Sequence, residues 1–462
     1  MTASTAAPRP VHDPFSWRFT SPLLLGSSLN PINSSMIATA LVGIGVDFHK
    51  GPAATASLIA VLYLCSAVMQ PTMGKLATIF GARRIFLAGT MILLLGGIIG
   101  ATAPAFGFLV VSRALVGIGT SAAYPTAMAL VRKRADKVKA GVPSSVLGSF
   151  SIASQVTMVV GLPLGGVLAG TFGWRAIFFI NVPLALITLV CTFIGVAKDE
   201  PADKAARTRL LVAVDLVGIV LFAGTTISLL LFLSHLTNPV WWQLAATVLF
   251  GAALFGWERR ASQPLLDVRK LTHNGRLLRT YVRQFLTALA MYTALYGTSQ
   301  WMEGAAHYTA SQVGLILLPM SAVSIVVARI VAGRGWVRWP LITAGICFVL
   351  TGAVMLGITH SSNVLILTGM SLLFGLANGF SGFANQATLY LESPADEIAV
   401  ASGLFRTFAY IGSIFSASLI GIAFGAAASD RGLHAVAYVV GAIGVVILLL
   451  TIFERKIPVS TR

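Results

Sequence analysis

The sequence predicts an all-α integral membrane protein in which about fourteen helices cross the bilayer. Of its residues, 56% are hydrophobic and only 10% are charged, whereas soluble domains carry roughly a quarter charged residues. Its apolar segments are long enough to cross ~30 Å of hydrocarbon as helices. Because they are continuous and do not alternate with a period of two, they exclude a transmembrane β-barrel.

The order of these segments indicates two bundles. The segments are 20–46, 54–79, 84–104, 106–131, 143–170, 174–197, 211–236, 240–257, 280–303, 311–332, 339–359, 362–386, 398–425 and 433–453. Polar stretches at 198–210 and 258–279 bracket the seventh and eighth segments. We therefore expect two six-helix bundles with an inserted two-helix hairpin, a layout that suits a transporter whose halves surround a central cavity.

The same breaks predict the domain boundaries. We expect an N-terminal tail (1–19), an N-terminal six-helix bundle (20–197), a linker with the inserted hairpin (198–258), a loop (259–279), a C-terminal six-helix bundle (280–454) and a C-terminal tail (455–462). The two tails and the 259–279 loop are predicted to be cytoplasmic.

Basic residues predict the orientation in the membrane. The net charge of +17 is typical of cytoplasmic loops in a membrane protein and does not require nucleic-acid binding. With the N-terminus inside, the outer loops contain only Lys50, Arg175 and Arg431, while Arg113 and Arg406 are embedded. The positive-inside rule therefore predicts a multi-pass protein of the cell membrane with both termini in the cytoplasm.

A motif joins the second segment to the third. In "GKLATIFGARR" (74–84), Gly74 and Gly81 permit close helix approach and a tight turn, while Arg83 and Arg84 can bind helix carbonyls or carboxylates. The stretch resembles the loop motif G-x-L-a-D-x-x-G-r-r of the major facilitator superfamily. Thr78 stands at the acid's position, which implies that the family's charge relay between the two halves is weakened or rerouted.

Two further motifs carry the same resemblance. "RALVGIGTSA" (113–122) resembles the helix-4 motif R-x-x-q-G-x-G-a-a, with Val116 replacing the usual glutamine. "GLPLGGVLAGTFGWRAIFFINVP" (161–183) resembles the helix-5 antiporter motif, with its proline displaced by one residue. Glycines and a proline in an apolar helix permit a kink and close packing, which suits a helix that rocks as the transporter changes conformation. Ordinary tight helix packing is the alternative interpretation. The matching residues are Arg113, Gly117, Gly119, Gly161, Pro163, Gly165 and Gly166.

The hairpin motifs narrow the resemblance to one branch. "DLVG" (215–218) and "ERRASQPLLDVRKL" (258–271) resemble the fourteen-helix drug/proton antiporters, the DHA2-like branch. In that branch helix 1 typically carries an acid in L-D-x-T-I-V-n-v-A-L, whereas "INSSMIATAL" (32–41) has Asn33 at that position. Asparagine can bond a ligand but cannot bind and release a proton near neutral pH. The resemblance constrains the fold strongly and the substrate hardly at all.

Arg113 has no acid near it in the sequence. A guanidinium keeps its proton in a protein, so its charge must be stabilised. Substrate, backbone carbonyls or water would stabilise this charge, unless the Glu303 carboxylate reaches Arg113. Snorkelling to the headgroups is an alternative for both Arg113 and Arg406.

Embedded polar residues predict a cavity. On the seventh bundle helix, Tyr292, Tyr296, Gln300 and Glu303 share one face, and Ser402, Arg406, Tyr410 and Ser413 repeat that spacing on the eleventh. We predict a substrate cavity, with interhelical hydrogen bonds of ~0.6–2 kcal/mol each as the alternative. Its predicted lining is Asn30, Asn33, Ser34, Arg113, Gln155, Tyr292, Tyr296, Gln300, Asn378, Asn385, Arg406 and Tyr410.

Glu303 is the only carboxylate on these two faces. A partly desolvated glutamate suits proton transfer, so Glu303, with Arg113, is the predicted proton-coupling site. The alternative is an exposed residue of an outer loop.

The predicted function is secondary transport. No Walker motif is present, so ATP does not drive transport directly. Net positive embedded charge favours anionic, zwitterionic or neutral amphiphilic cargo, and the resemblance implies a proton-coupled multidrug exporter. A lipid or lipid-linked-precursor flippase and a proton-independent facilitator are the alternatives. The expected partners are a small-molecule substrate, protons and the lipid bilayer; we expect a monomer without nucleic acid, cofactor, metal or enzymatic activity.

Overall fold

A computed structural model of the chain describes residues 14–50, 52–139, 141–199, 215–234, 236, 238–308, 310–425, 427–454 and 457–460. These residues form helices and one isolated β-bridge, between Trp336 and Ser460, but no strand. A 3-10 helix, Ile37–Ala40, joins α1 to α2. The α-helices are α1 (Trp17–Met36), α2 (Leu41–Asp47), α3 (Pro52–Phe80), α4 (Ala82–Ala101), α5 (Phe106–Ser121), α6 (Ala123–Lys137), α7 (Ser144–Phe172), α8 (Arg175–Phe179), α9 (Asn181–Gly195), α10 (Leu216–Ser234), α11 (Trp241–Glu258), α12 (Val268–His273), α13 (Gly275–Gly304), α14 (Ala310–Arg334), α15 (Arg338–Leu356), α16 (Val364–Glu392), α17 (Ile398–Phe424) and α18 (Asp430–Phe453).

Ten helical segments of the described residues are long and apolar enough to cross a membrane. They are Ser57–Phe80, Ala82–Ala101, Phe106–Lys137, Arg175–Gly195, Leu216–Leu233, Gln312–Arg334, Arg338–Leu356, Val364–Glu392, Ile398–Phe424 and Asp430–Phe453. The prediction of an all-α, multi-pass membrane protein is therefore confirmed. Fourteen crossings would also require α1 with α2, α7, α11 and α13, so the larger count stays a prediction.

The helices before and after the hairpin have separate cores. We call α1–α9 the N half and α13–α18 the C half. One cluster of the N half includes Met36, Leu109 and Phe178, while one of the C half includes Phe348 and Phe374. Each half therefore buries apolar surface of its own.

The two halves meet at the end of the bundle that carries Arg83, Arg84 and Arg132, which we call the basic end. There one apolar cluster joins Phe150 of α7 to Phe383 of α16. Gly74 on α3 lies against α17 so closely that a Cβ would stand 2.5 Å from the Ala399 carbonyl oxygen. The basic end is thus closed by direct backbone contact.

The polar face of α13 lies toward the end of the bundle opposite the basic end. Tyr296, Gln300 and Glu303 are exposed there, and Tyr296 retains 40% of its accessible surface. The two halves are thus in contact at the basic end, while this face of α13 keeps accessible surface.

The hairpin α10–α11 packs against α17 of the C half and, through α10, also against α3 of the N half. Phe222 of α10, Leu254 of α11 and Leu265 of the following loop share a core with Tyr281 of α13 and Phe405 of α17. The described part of this region starts at Asp215, so the predicted linker residues 200–214 lie outside the described residues. At the other side of the loop, α13 begins at Gly275, earlier than the predicted 280.

Candidate substrate site

A hydrogen-bond network centred on Asn30 and Tyr410 joins the two halves at mid-depth. The Tyr410 hydroxyl of α17 donates to Asn30 Oδ1 of α1 at 2.7 Å and accepts from Gln70 Nε2 of α3 at 3.1 Å. Asn30 Nδ2 is 3.0 Å from Ser66 Oγ and 2.8 Å from Thr120 Oγ1. Two predicted cavity residues are thus brought together, and they link the halves directly.

Tyrosines surround this network. The Tyr63 and Tyr410 rings have centroids 5.6 Å apart, and Tyr292 stacks on Tyr296 at 5.5 Å. Ser34, a further predicted lining residue, donates its hydroxyl to the Asn30 carbonyl at 2.9 Å. Tyr63 was not predicted as a cavity residue, because an isolated tyrosine in an apolar helix does not show in the sequence which residues it contacts.

Arg406 of the C half reaches across to the N half. Its Nη2 donates to Ser154 Oγ of α7 at 3.2 Å, and its guanidinium carbon lies 4.1 Å from the centre of the Tyr124 ring. Its Nε is buried without a hydrogen-bond partner in the described structure. The guanidinium, which is half-buried, therefore combines a cation–π contact with unused donor capacity.

Arg113 is held by backbone oxygens. Its side chain is 1% exposed; Nε donates to the Leu58 carbonyl at 3.1 Å and Nη2 to the Asn33 carbonyl at 3.5 Å. Snorkelling is therefore excluded for Arg113, and carbonyl stabilisation is what the structure shows. Glu303 does not reach Arg113: it is exposed at the opposite end.

Asn33, predicted to line the cavity, forms a reciprocal amide pair with Asn181 of α9. Asn33 Nδ2 is 2.6 Å from Asn181 Oδ1, and Asn181 Nδ2 is 3.0 Å from Asn33 Oδ1. Both side chains are buried. Asn181 offers the complementary donor and acceptor that an amide at this depth requires, and a role for Asn33 in the cavity stays a prediction. The isolated polar residue within "INVP" was the available signal for Asn181.

Asn385, also predicted for the cavity, belongs to a second network inside the C half. Its Oδ1 accepts from Arg283 Nε at 2.8 Å, and Arg283 also contacts Glu454, Thr280 and Thr388 at 3.0–3.3 Å. Arg283 has 0% exposure. Arg283 was not singled out from the sequence, because its partners on α16 and after α18 could not be inferred from its neighbours in the chain.

The remaining predicted residues are dispersed. Asn378 Nδ2 bonds to Ser324 Oγ at 3.1 Å within the C half, and Gln300 lies on the exposed face of α13. Ser402 is buried with an unpartnered hydroxyl. The side chains of Gln155 and Pro163 lie outside the described residues.

The loop motif has a substitute acid. Asp199, after α9, accepts from the backbone N–H groups of Arg83 at 3.3 Å and Arg84 at 2.9 Å, which is favourable at the N-terminus of α4. Gly81, at φ 97°, makes the turn before that helix, and the Thr78 hydroxyl donates to the Lys75 carbonyl. The motif is thus completed from α9 rather than by Thr78.

Most of the motif glycines stand at close helix contacts. A Cβ at Gly117 would lie 2.9 Å from the Leu62 carbonyl, and one at Gly119 would lie 2.6 Å from the Gly89 carbonyl. Gly161 and Gly165 of α7 face Ser35 and Met36 of α1 in the same way, whereas Gly166 has no such neighbour. Among the described residues, no group of His, Cys, Asp and Glu is arranged to hold a metal ion.

Comparisons with known proteins agree with this architecture. A family model described as Major Facilitator Superfamily matches residues 23–417. The chain is 34% identical over 412 residues to the uncharacterised MFS-type transporter YwoD of Bacillus subtilis, with 88% of this chain and 90% of that protein covered. It is 28% identical over 409 residues to the multidrug resistance protein Stp of Mycobacterium tuberculosis, with 86% of this chain and 74% of that protein covered.

A solved structure shares the fold. The human organic anion transporter MFSD10 superposes with a TM-score of 0.66 over 94% of this chain and 99% of that chain. The two sequences are 14% identical, so the likeness concerns the arrangement of helices alone.

Proposed function

Because this chain belongs to the major facilitator superfamily and is a transporter rather than an enzyme, we propose that it exports small amphiphilic compounds in exchange for protons. In this proposal the chain is a fourteen-helix member of the drug/proton antiporter branch. It resides as a monomer in the plasma membrane with both termini in the cytoplasm, and the basic end faces the cytoplasm. Stp, named as a multidrug resistance protein, supports the cargo class.

The observation that carries the proposal is the interface at Arg406 and Tyr410. These C-half side chains bind Ser154 and Asn30 of the N half at mid-depth, between a closed basic end and an exposed face of α13. Alternating access requires a site where both halves contribute and that opens to one side at a time. Asn30, Tyr63, Tyr292, Tyr296, Arg406 and Tyr410 are the residues we assign to cargo binding.

The charge of this site favours anionic or zwitterionic cargo. Arg406 has no carboxylate among the partners that the structure describes, and its buried Nε has no acceptor. A buried donor without a partner costs roughly 1–3 kcal/mol. A carboxylate or sulfonate of the cargo would relieve that cost, and aromatic cargo would find tyrosine faces beside it.

Glu303 is the proposed proton site. It shares the exposed face of α13 with Tyr296 and Gln300, which our mechanism places on the outside of the cell. When the opposite end closes, a carboxylate on this face must lose either its water or its charge. Proton binding would therefore accompany that closure.

Proteoliposomes with an imposed pH gradient test the function. We expect the gradient to drive movement of carboxyfluorescein, an anionic aromatic probe, and to be dissipated by it, as read by an internal pH dye. Glu303→Gln should retain probe counterflow but lose gradient-driven accumulation, while Gln300→Glu serves as a control for charge on this face. Flux that ignores the gradient in the unmodified protein would contradict antiport and favour a facilitator. Movement of labelled lipid in place of the probe would favour a flippase.

A further inference from the structure

The two hairpin motifs meet in one buried acidic site. Asp215 precedes α10, and its carboxylate accepts from Gly218 N at 3.0 Å, Trp257 Nε1 at 2.7 Å and Leu265 N at 2.8 Å. Glu258 ends α11 with 0% exposure; its Oε1 accepts from Leu266 N at 3.3 Å. Its Oε2 has no hydrogen-bond partner in the described structure.

These acids fix the loop that follows the hairpin. Because the N–H groups of Leu265 and Leu266 point to the carboxylates, the preceding carbonyl of Pro264 is held at a set position. Lys75 of α3 donates to that carbonyl oxygen at 2.8 Å. Lys75 is the only Lys or Arg on α3. Because Pro264 directly precedes Leu265 and Leu266, whose N–H groups bind the two acids, the Lys75 ammonium is held beside Asp215 and Glu258.

The Lys75 contact crosses between the halves. Leu265 packs in a core with Tyr281 and Phe405 of the C half, whereas Lys75 belongs to the N half. The neighbouring Gly74 touches Ala399 of α17. Opening the basic end would separate α3 from α17 and pull the Lys75 ammonium away from the Pro264 carbonyl and the acids.

We propose that Lys75, Asp215 and Glu258 form a latch that holds the basic end closed, and that the inserted hairpin supplies the C-half part of this latch. The unpartnered Glu258 oxygen, buried near a cation of the other half, is the observation that a purely structural role for the hairpin does not explain. Lys75, beside Gly74 in the loop motif, thus connects the N half to the hairpin loop, a contact distinct from that of Asp199, which completes the motif in place of Thr78. The latch rests on the proposed alternating access only in requiring that the basic end opens.

Distance measurement between spin labels tests the latch without any substrate. The labels are attached to Lys137→Cys at the end of α6 and Ala395→Cys before α17, both exposed at the basic end, in a chain with C65A, C191A and C347A. Pulsed electron paramagnetic resonance on the full chain in liposomes gives the ratio of closed to open molecules. We expect Lys75→Met to lower this ratio about ten- to hundredfold, because a hydrogen bond to a charged group contributes ~1.5–3 kcal/mol. Lys75→Arg should restore most of it.

Lys270→Met is the matched control. Lys270 is also at the basic end, and it pairs with Glu397, but both residues belong to the C-half side. Outside the membrane, the bond to Glu397 raises the pKa of Lys270 above its ordinary value, so the control removes the same charge. We expect no change in the closed-to-open ratio.

Glu258→Gln, which removes the charge and keeps nearly the same shape, is a second test of the latch. It should shift the ratio in the same direction as Lys75→Met, and the double variant should shift it no further than Lys75→Met alone. An unchanged ratio in Lys75→Met, or equal shifts in Lys75→Met and Lys270→Met, would overturn the latch. If the pH gradient drives no transport but Lys75→Met still opens the basic end, the proposed antiport fails and the latch stands.

Discussion

Arg283 and Arg406 both lie inside the helical bundle, yet their partners differ. Arg283 bonds to Glu454, Asn385 and two threonines, all within the C half. Arg406 crosses to the N half, where it finds a serine, an aromatic ring and no described carboxylate. The comparison teaches that a cation neutralised within one half stabilises that half, whereas an incompletely satisfied cation between the halves is available to cargo.

The largest expected effect lies at the neutralised cation. Glu454→Ala leaves Arg283 buried without its carboxylate, and breaking a buried pair in this way costs roughly 3–5 kcal/mol. We expect a loss near the lower figure, because Glu392 also attracts Arg283. Denaturant unfolding in detergent measures the free energy of unfolding.

Arg279 offers the control for that pair. Its Nε also contacts Glu454, at 2.8 Å, but its side chain is 48% exposed, and exposed pairs contribute about 0–1 kcal/mol. Arg279→Ala should therefore cost no more than ~1 kcal/mol. Similar losses in Arg279→Ala and Glu454→Ala would remove the distinction between a buried and a peripheral partner.

The Asn33–Asn181 pair sharpens the same comparison with neutral groups. Asn33→Leu leaves the buried Asn181 Oδ1 without its Asn33 donor, while Asn181 Nδ2 keeps the Ile177 and Phe178 carbonyls. We expect a loss of about 1–3 kcal/mol in the free energy of unfolding. Replacing both residues by leucine removes the orphaned amide, so the double variant should recover most of that loss. A double variant as unstable as the sum of the single ones would show that these amides serve something other than each other.

Arg113 should show the smallest change in stability. Its guanidinium is buried against two backbone carbonyls, and apolar replacements of buried charges are often neutral or stabilising. We expect Arg113→Met to alter the free energy of unfolding by less than ~1 kcal/mol. A loss comparable to that of Glu454→Ala would place Arg113 with the structural cations.

The sequence was informative wherever local pattern decides the outcome. Continuous apolar segments predicted the helices, and Gly74 and Gly81 predicted a close contact and a turn. Burial of Arg113 followed from its position within an apolar run. Each of these depends on neighbouring residues or on chain composition.

Partners distant in sequence could not be predicted. The complement of Asn33 is Asn181, and the acid that caps α4 is Asp199, each supplied by another helix. Arg283 sits among basic residues near the predicted loop, so only packing against α16 reveals its burial. The hairpin motifs were recognised separately, and only the fold brings Asp215 and Glu258 to Lys75 of the other half.

Binding of matched anionic and cationic aromatic dyes to Arg406 variants tests the central claim most directly. Titration of the purified transporter with carboxyfluorescein and with ethidium, followed by fluorescence anisotropy, gives the two dissociation constants. The account predicts preference for carboxyfluorescein, a ten- to hundredfold weaker affinity for it in Arg406→Ala (~1.5–3 kcal/mol), and ethidium affinity that is unchanged or improved. An equal loss of affinity for both dyes, or a carboxyfluorescein affinity unchanged by Arg406→Ala, would contradict the assignment of this cation to cargo binding.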